Sequence, residues 1–419
     1  MSNTFRAALP ILILILSLVT TAFAQSHTLT STPVRASAAE EESLRTLTAA
    51  YGRALVTGDL DALRKFWNSQ SPNLSTQFRS YKNTFAQARF EFTRPEVTRL
   101  EITGDKAISH LTVDERRLDK KTNGVLLISE AYRGACRSFE WTRTSAGWQI
   151  EREFLVQDEL AVTLEAASSD QQRQEILDHE KRFVTNTLVS AFGIKALRHA
   201  TRGEFETAMR YIRLQQTVAE RIGDQAGVAS AWLNTAIVRN HLDEPETALE
   251  PAHKALDLFE SLGLKRGVAT AQETLSSTYR ALGNHRRAFD FAQKSLRLSE
   301  EGNRRKAIMM ALSELAIIYG QQNNAEQALA HLERAFAIAQ ELGDTFMIAS
   351  LRYDMGIEYN RLGNEQRALE VYQELLKQMD ALGDKGGAAM VRDQIGRILA
   401  EVGRYNEALK YHREAVAGL

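Results

Sequence analysis

The chain has 419 residues, a quarter of them charged, with 52 Lys and Arg against 53 Asp and Glu. A balance this close to neutrality carries no electrostatic footprint for nucleic acid or for an acidic partner. The single cysteine excludes an intrachain disulfide framework, and the length suits two or three domains.

Residues 1–24 read as a secretory signal peptide. Arg6 is the lone charge ahead of an apolar run from Ile11 to Val19, and Ala22-Phe23-Ala24 places small residues three and one positions before a cut at Gln25. The alternative is an uncleaved anchor, since Ala7 to Ala24 approaches the minimum span of about 17 residues. The expectation is an exported chain, periplasmic or secreted, with no membrane attachment after cleavage. Residues 25–39, rich in Ser, Thr and Ala, read as a flexible tether.

From residue 40 the pattern becomes globular. Leu44, Leu47, Tyr51, Ala54 and Leu55 recur at helical spacing, Gly58 ends that helix, and Asp59 caps the next, which runs from Leu60 to Trp67. After about residue 86 the period shortens. Phe90–Phe92, Val97–Thr103, Lys106–Val113, Val125–Thr142 and Trp148–Val156 are strand-like runs, with Gly104 and Gly147 in hairpin turns and a polar turn at Asp119–Gly124. Helices followed by a meander define an α+β domain over residues 40–158. Gly58-Asp59-Leu60-Asp61-Ala62-Leu63 between the helices and Gly147-Trp148-Gln149-Ile150 opening the last strand resemble the NTF2-like fold. The resemblance implies a curved sheet wrapped around its helices as a cone, sometimes with a catalytic or ligand-binding mouth.

His110 and Asp114, on one face of a strand, and Tyr132 from a neighbouring strand are the candidate mouth residues. His110 and Asp114 lie four residues apart, near 13 Å at ~3.3 Å per residue, too far to act on one atom. Otherwise His110 is a rim or surface residue, and Asp114 opens a charged turn through Arg117. Cys136 reads as a small buried hydrophobe in a strand. Motifs for metal proteases, serine hydrolases, phosphate loops and dinucleotide folds are absent, and the nine histidines lack metal-ligand spacing. The expectation is no enzyme, no cofactor and no metal. Residues 159–184 read as a helical connector, Asp158–Ala167 and Asp170–Phe183 with Ser169 as a cap; its thin apolar stripe is Leu160, Val162, Ile176, Leu177 and Phe183.

Residues 185–419 repeat themselves. Ala208, Ala248, Ala288, Ala328, Ala368 and Ala408 recur every 40 residues, each five positions after a break at Gly203, Asp243, Gly283, Asn323, Gly363 or Gly403. A second break recurs at Gly223, Gly263, Asn303, Gly343 and Gly383. Between breaks the apolar spacing is helical, so each unit is an antiparallel helix pair that must stack on its neighbours to bury its stripe. Ala236, Ser276, Ala316, Gly356 and Gly396 let helices approach, and Tyr279, Tyr319 and Tyr359 fill the space three positions later. Pro251, inside one second helix, predicts a kink or a delayed start.

Leu315-Ala316, Tyr319, Asn323, Ala328 and Ala335, and again Met355-Gly356, Tyr359, Gly363 and Ala368, resemble the tetratricopeptide repeat in a 40-residue variant. Longer junctions such as Leu342-Gly343-Asp344 replace its usual proline. The variant is similar to repeats of kinesin light chains and of bacterial proteins in which the array adjoins a CHAT peptidase domain. The fold expected overall is α+β followed by an all-α solenoid of about six helical hairpins. The basic clusters His285–Arg287 and Arg304–Lys306 sit at opposite ends of a helix, about 22 Å apart, and make no single anion patch.

The resemblance implies a protein or peptide ligand on the concave face, with Asn234, Asn240, Glu273, Arg280, Glu314, Tyr353, Asn360 and Arg361 as candidate contacts. The chain stops inside the sixth second helix, leaving a stripe of Leu409, Ala415 and Val416 as a candidate for self-association. Three functions stay open: an exported protein-interaction scaffold, the recruitment arm of a longer protein with a C-terminal CHAT peptidase, and small-molecule binding by the cone.

Overall fold

The structure, a computed structural model, describes residues 37–120 and 132–418. The signal peptide, most of the tether and the turn beyond Lys120 lie outside the described residues. Helix α1 (Ala38–Thr57) starts from a capping box, in which the Ser37 side chain accepts from the Glu40 backbone and Glu40 accepts from the Ser37 N–H. It stops where Gly58 takes φ +68°, a conformation open to glycine without steric cost. Asp59 then accepts two backbone N–H groups of α2 (Leu60–Arg64), as its sequence position predicts. A third helix, α3 (Leu74–Gln87), has no counterpart in the sequence reading, although Phe78, Tyr81 and Phe85 at helical spacing all point into the core.

Four antiparallel strands follow in simple order: β1 (Ala88–Thr103), β2 (Lys106–Asp119), β3 (Tyr132–Thr144) and β4 (Gly147–Leu155). Two of these differ from the expected runs. Phe90–Phe92 and Val97–Thr103 are one strand, interrupted by register shifts on either side of Glu96 and by Arg94 at φ +52°. Pro95 has no N–H for the ladder, so the irregularity falls where pairing would be lost anyway. The charged stretch Asp114–Arg117 is strand, paired with β1 through Asp119, where the sequence suggested a turn.

Helices α1–α3 cover one face of the sheet. Tyr51, Trp67, Phe78 and Tyr81 pack there on Phe139, Trp141, Leu111 and Ile150. Each fully buried large side chain contributes about 1.5–3 kcal/mol. The opposite face carries Cys136, which belongs to a second core with Leu160 and Leu164 of α4 (Val156–Ala166), Leu177 of α5 (Asp170–His179), Phe183, and Phe192 of the first repeat helix. Gln157, fully buried, fastens α4 to β3: its Oε1 accepts from the Cys136 N–H at 3.2 Å and its Nε2 donates to the Gly134 carbonyl at 2.8 Å. Ser169 caps α5 as predicted; Val162 is exposed and leaves the expected apolar stripe.

The remaining helices form six antiparallel pairs: α6 (Asn186–Ala200) with α7 (Phe205–Ile222), α8 (Gln225–His241) with α9 (Pro245–Ser261), α10 (Lys265–Ala281) with α11 (His285–Glu301), α12 (Arg305–Gln321) with α13 (Ala325–Leu342), α14 (Thr345–Arg361) with α15 (Glu365–Leu382), and α16 (Lys385–Glu401) with α17 (Tyr405–Gly418). The breaks are the left-handed positions that stop them. Asp243, Asn303 and Asn323 reach φ of 58°, 47° and 58° in slots that other repeats give to glycine. Asn and Asp are the residue types that tolerate this conformation best after glycine. All six repeated alanines are buried. Helix α9 starts on Pro245, where a missing N–H costs nothing, and runs unbroken through the buried Pro251, so its start is not delayed. Among the described residues no helix is long and apolar enough to cross a membrane.

Candidate functional site

First helices of consecutive repeats approach one another: α6 touches α8, α8 touches α10, and α10 touches α12. Second helices do not pair across repeats to that extent, so the first helices lie on the inside of the curve and line its concave face. The eight residues singled out in the sequence all lie on first helices, and most are tied down.

Asn234 is buried and donates to Gln215 at 2.9 Å. Asn240 donates to Thr278 of the next first helix at 2.8 Å. Arg280 pairs with Glu314 one repeat on, Nε to Oε1 at 2.8 Å. Tyr353 accepts from Gln394 at 3.0 Å, and Asn360 donates to Glu401 at 2.9 Å. Arg361 donates to the Gly320 carbonyl and holds Glu358 at 2.9 Å. These side chains bridge repeat to repeat and set the spacing of the groove wall. The repeat register locates them, but it carries no signal of that bonding.

Glu273 differs from the rest. It is half-buried and has no hydrogen-bond or ion-pair partner among the described residues; burial, reinforced by Glu314, pushes its carboxyl up to about 7. Asp354, not singled out in the sequence, has the same character: burial and neighbouring Glu358 raise it to about 6. Tyr279 is buried against Phe291 and accepts from Arg287 at 3.0 Å, whereas Tyr319 and Tyr359 are half-buried.

The structure corrects the reading of His110. Alternation along β2 turns Ala107, Ser109, Leu111, Val113 and Glu115 toward α1–α3, and puts His110 on the opposite face. Far from being a rim residue, it is buried beneath Phe183 of the connector, ring centroids 6.0 Å apart. Burial, with help from Arg99 and Arg182, lowers its imidazole to about 4, and its Nδ1 has no partner. Asp114 is held by Arg94 and accepts the Gly134 N–H at 2.9 Å. The side chain of Tyr132 lies outside the described residues. His110 and Asp114 are therefore each engaged separately, with no shared reacting point.

A prediction follows for pH. The neutral imidazole is favoured in the folded chain, so its contribution is complete above the unfolded value near 6.5 and is lost as pH falls toward 4. Thermal unfolding followed from pH 7 to 4.5 should fall more steeply for the natural chain than for His110→Leu. Parallel curves would show that His110 is not the group responsible.

The inner face of the sheet holds a charge network that the sequence reading missed. Arg137, buried, donates to Glu115 at 2.7 Å and to Glu153 at 3.0 Å. Arg117 adds a second cation to Glu115 at 2.6 Å. Glu153 also accepts from the Tyr51 hydroxyl at 2.8 Å and from Tyr81, while the Trp67 indole N–H donates to Tyr51 at 2.9 Å. Burial opposes charge on Glu115, but Arg137 and Arg117 outweigh it and keep the carboxyl below its usual range. The same burial drives the Tyr51 and Tyr81 phenols well above theirs. A cavity of about 340 Å³ opens beside the network, bounded by Tyr81, Phe90, Arg137 and Glu153. Two cations meet two carboxylates there, so the network is neutral within itself and ties α1, α3 and three strands together. The Cys136 thiol, raised by burial to about 11, is protonated at neutral pH and has the small-hydrophobe character expected of it. Among the described residues no group of three or more His, Cys, Asp and Glu is placed to hold a metal.

Residues 227–301, 307–381 and 348–419 match the tetratricopeptide repeat family. Within residues 227–419 the chain is a tetratricopeptide-repeat array. No curated protein matches the chain. Among solved structures, a signal transduction ATPase with a tetratricopeptide repeat sensor from Pyrococcus horikoshii is similar at 16% identity and a TM-score of 0.48, over 62% of this chain and 41% of that one. The present chain thus spans about two fifths of that protein's length. BtubC from P. vanneervenii is similar at 19% identity and a TM-score of 0.45, covering 55% and 92% of the two chains. Aspartyl phosphate phosphatase F from Bacillus subtilis is similar at 11% identity and 0.44, covering 59% and 74%.

Proposed function

We propose that this chain is an exported, non-enzymatic scaffold that holds a partner polypeptide against the concave face of its repeat array. The observation that supports this most is the groove wall itself. First helices from successive repeats are pinned side by side through Asn240–Thr278, Arg280–Glu314 and Asn360–Glu401, which presents one continuous polar surface. Glu273, opposed only weakly by Arg304, and Asp354 are half-buried carboxyls on these first helices with no direct ion pair, and polar groups of this kind supply specificity to a peptide groove. Arg280 and Arg361 are poor choices for testing the surface, because reversing them breaks bonds between repeats.

Photo-crosslinking tests the reading. A benzoyl-phenylalanine placed at Glu273 or Ser313 in the full chain, expressed in its own cells, should yield a discrete protein adduct. The same group at Lys294, on a second helix, should not. Equal adducts from both faces, or none from the first helices, would remove the concave face from the proposal. Export is tested separately by sequencing the N-terminus of the mature chain: a start at Gln25 supports it, and an intact Met1 in the cytosol refutes it.

A further inference from the structure

Five of the six repeats show what the fold requires, so a feature confined to one repeat is not demanded by packing. The first repeat has such a feature on its outer side. Phe205 and Met209 from α7 and Leu242 from the turn after α8 enclose an apolar notch of about 320 Å³. The corresponding triplets are Pro245, Leu249 and Leu282, then His285, Phe289 and Gln322, then Ala325, Leu329 and Leu362, then Glu365, Leu369 and Val402. The sixth repeat opens its second helix with Tyr405 ahead of Leu409 and has no following turn residue in the Leu242 slot, so only the first sets an aromatic residue at the helix start against such a residue. The Phe205 ring lies nearly parallel to the His241 imidazole, 6.5 Å away, which fixes one wall, and Leu242 stays 39% exposed at the other.

The rim is equally particular. Glu206 and Arg213 lie seven residues apart on the same face of α7, about 10 Å along its axis, one at each end of the notch. Both are exposed, and neither has an ion-pair partner among the described residues. Arg210 between them is drawn back to Glu165 of α4 at 2.7 Å, so it neither neutralises Glu206 nor closes the opening. At the two rim positions the other repeats carry Glu246 and His253, Arg286 and Gln293, Glu326 and Glu333, Gln366 and Gln373, and Asn406 and Arg413. An acid facing an arginine across an apolar notch occurs only in the first.

We infer that this notch docks a second polypeptide segment, one with a large apolar side chain set between a basic and an acidic residue. The apolar side chain fills the space between Phe205, Met209 and Leu242; the basic residue lies against Glu206 and the acidic one against Arg213. An extended segment advances ~3.3 Å per residue, so charges three or four positions apart span the distance between the two rim groups. The surface is separate from the concave face, and failure here leaves the scaffold proposal standing.

Three labelled peptides test it on the full chain by fluorescence anisotropy: Lys-Ala-Phe-Ala-Asp, the same with both ends Lys, and the same with both ends Asp, each in a Gly-Ser frame. The mixed peptide should bind best, because it matches the rim in either chain direction. Glu206→Lys should move the preference to the doubly acidic peptide and Arg213→Glu to the doubly basic one, each by roughly 3- to 5-fold, the range of an exposed ion pair. Met209→Asp should weaken the mixed peptide by at least about 10-fold. The two charge variants sit on exposed positions and keep the test decisive should Met209→Asp disturb α7. Absence of binding at millimolar peptide, or preferences unmoved by both charge reversals, overturns the inference. So does sedimentation showing that a second copy of the chain covers the notch and is released by Met209→Asp.

Discussion

Arg137→Met is expected to destabilise the sheet-bearing part of the chain by about 3–5 kcal/mol, the range for removing one partner of a buried charge network. The methionine replaces the guanidinium stem in volume, so the loss is electrostatic more than steric. It leaves Glu115 and Glu153 facing each other in the interior, with Arg117 on the first and two tyrosine hydroxyls on the second. Three of the four tryptophans, Trp67, Trp141 and Trp148, belong to this half, so fluorescence in a urea titration reports it directly. The pH dependence gives a sharper signature. In the natural chain Glu115 sits below its unfolded value, so its contribution is present above about pH 4.5 and is lost as pH falls. In Arg137→Met the burial of Glu115 is opposed by Arg117 alone and Glu153 keeps no cation, so charging the two carboxyls costs stability, which is greatest at low pH and declines as pH rises. Opposite slopes between pH 4 and 7 are the expected result. Parallel slopes would mean that Arg137 acts by packing alone.

That network also marks where the sequence stops being legible. The repeats could be read because each physical requirement is written five or six times: a left-handed stop, a buried alanine, a small residue where helices meet. Even Asp243, Asn303 and Asn323 could be placed, since their neighbours in register are glycines and all share one backbone conformation. The stretch from Asp114 to Arg117 occurs once, and four consecutive charged residues imply solvent. What turns them into strand is Arg137, 22 residues past Glu115, and Glu153 beyond it, and no local pattern carries that pairing. His110 was misread for the same reason, because the residue that buries it, Phe183, lies in the connector. Register placed the eight polar candidates on first helices, but the hydrogen bonds most of them make run to the adjacent repeat and so are invisible within any one unit.

Gly267→Met should be strongly destabilising, and Phe259→Ala in the same chain should recover most of the loss. A Cβ built on Gly267 would lie 2.4 Å from the Phe259 ring, which is fully buried at the junction of α9 and α10. The clash has no cheap escape, and overpacking of this kind costs about 1–3 kcal/mol, more when the ring cannot turn. The array itself contains the answer to how that junction can be filled. Residues eight apart across the later junctions are Ser299 with Ala307, Ala339 with Met347, and Met379 with Gly387. Large faces small in Phe259–Gly267 and Met379–Gly387, and small faces large in Ala339–Met347. There Ala339 is buried and Met347 packs into the same core from the opposite helix. The double variant therefore transplants the fourth junction, between the fourth and fifth repeats, into the second, between the second and third. Each repeat gains its stability from its neighbours, so a damaged junction should uncouple α6–α9 from α10–α17, visible as a split unfolding transition in the single variant. A double-mutant cycle should return a favourable coupling of about 1–3 kcal/mol and restore a single transition. Additive losses would show that the junction is not governed by the pair, and that the exchange of large and small residues along the array has another cause.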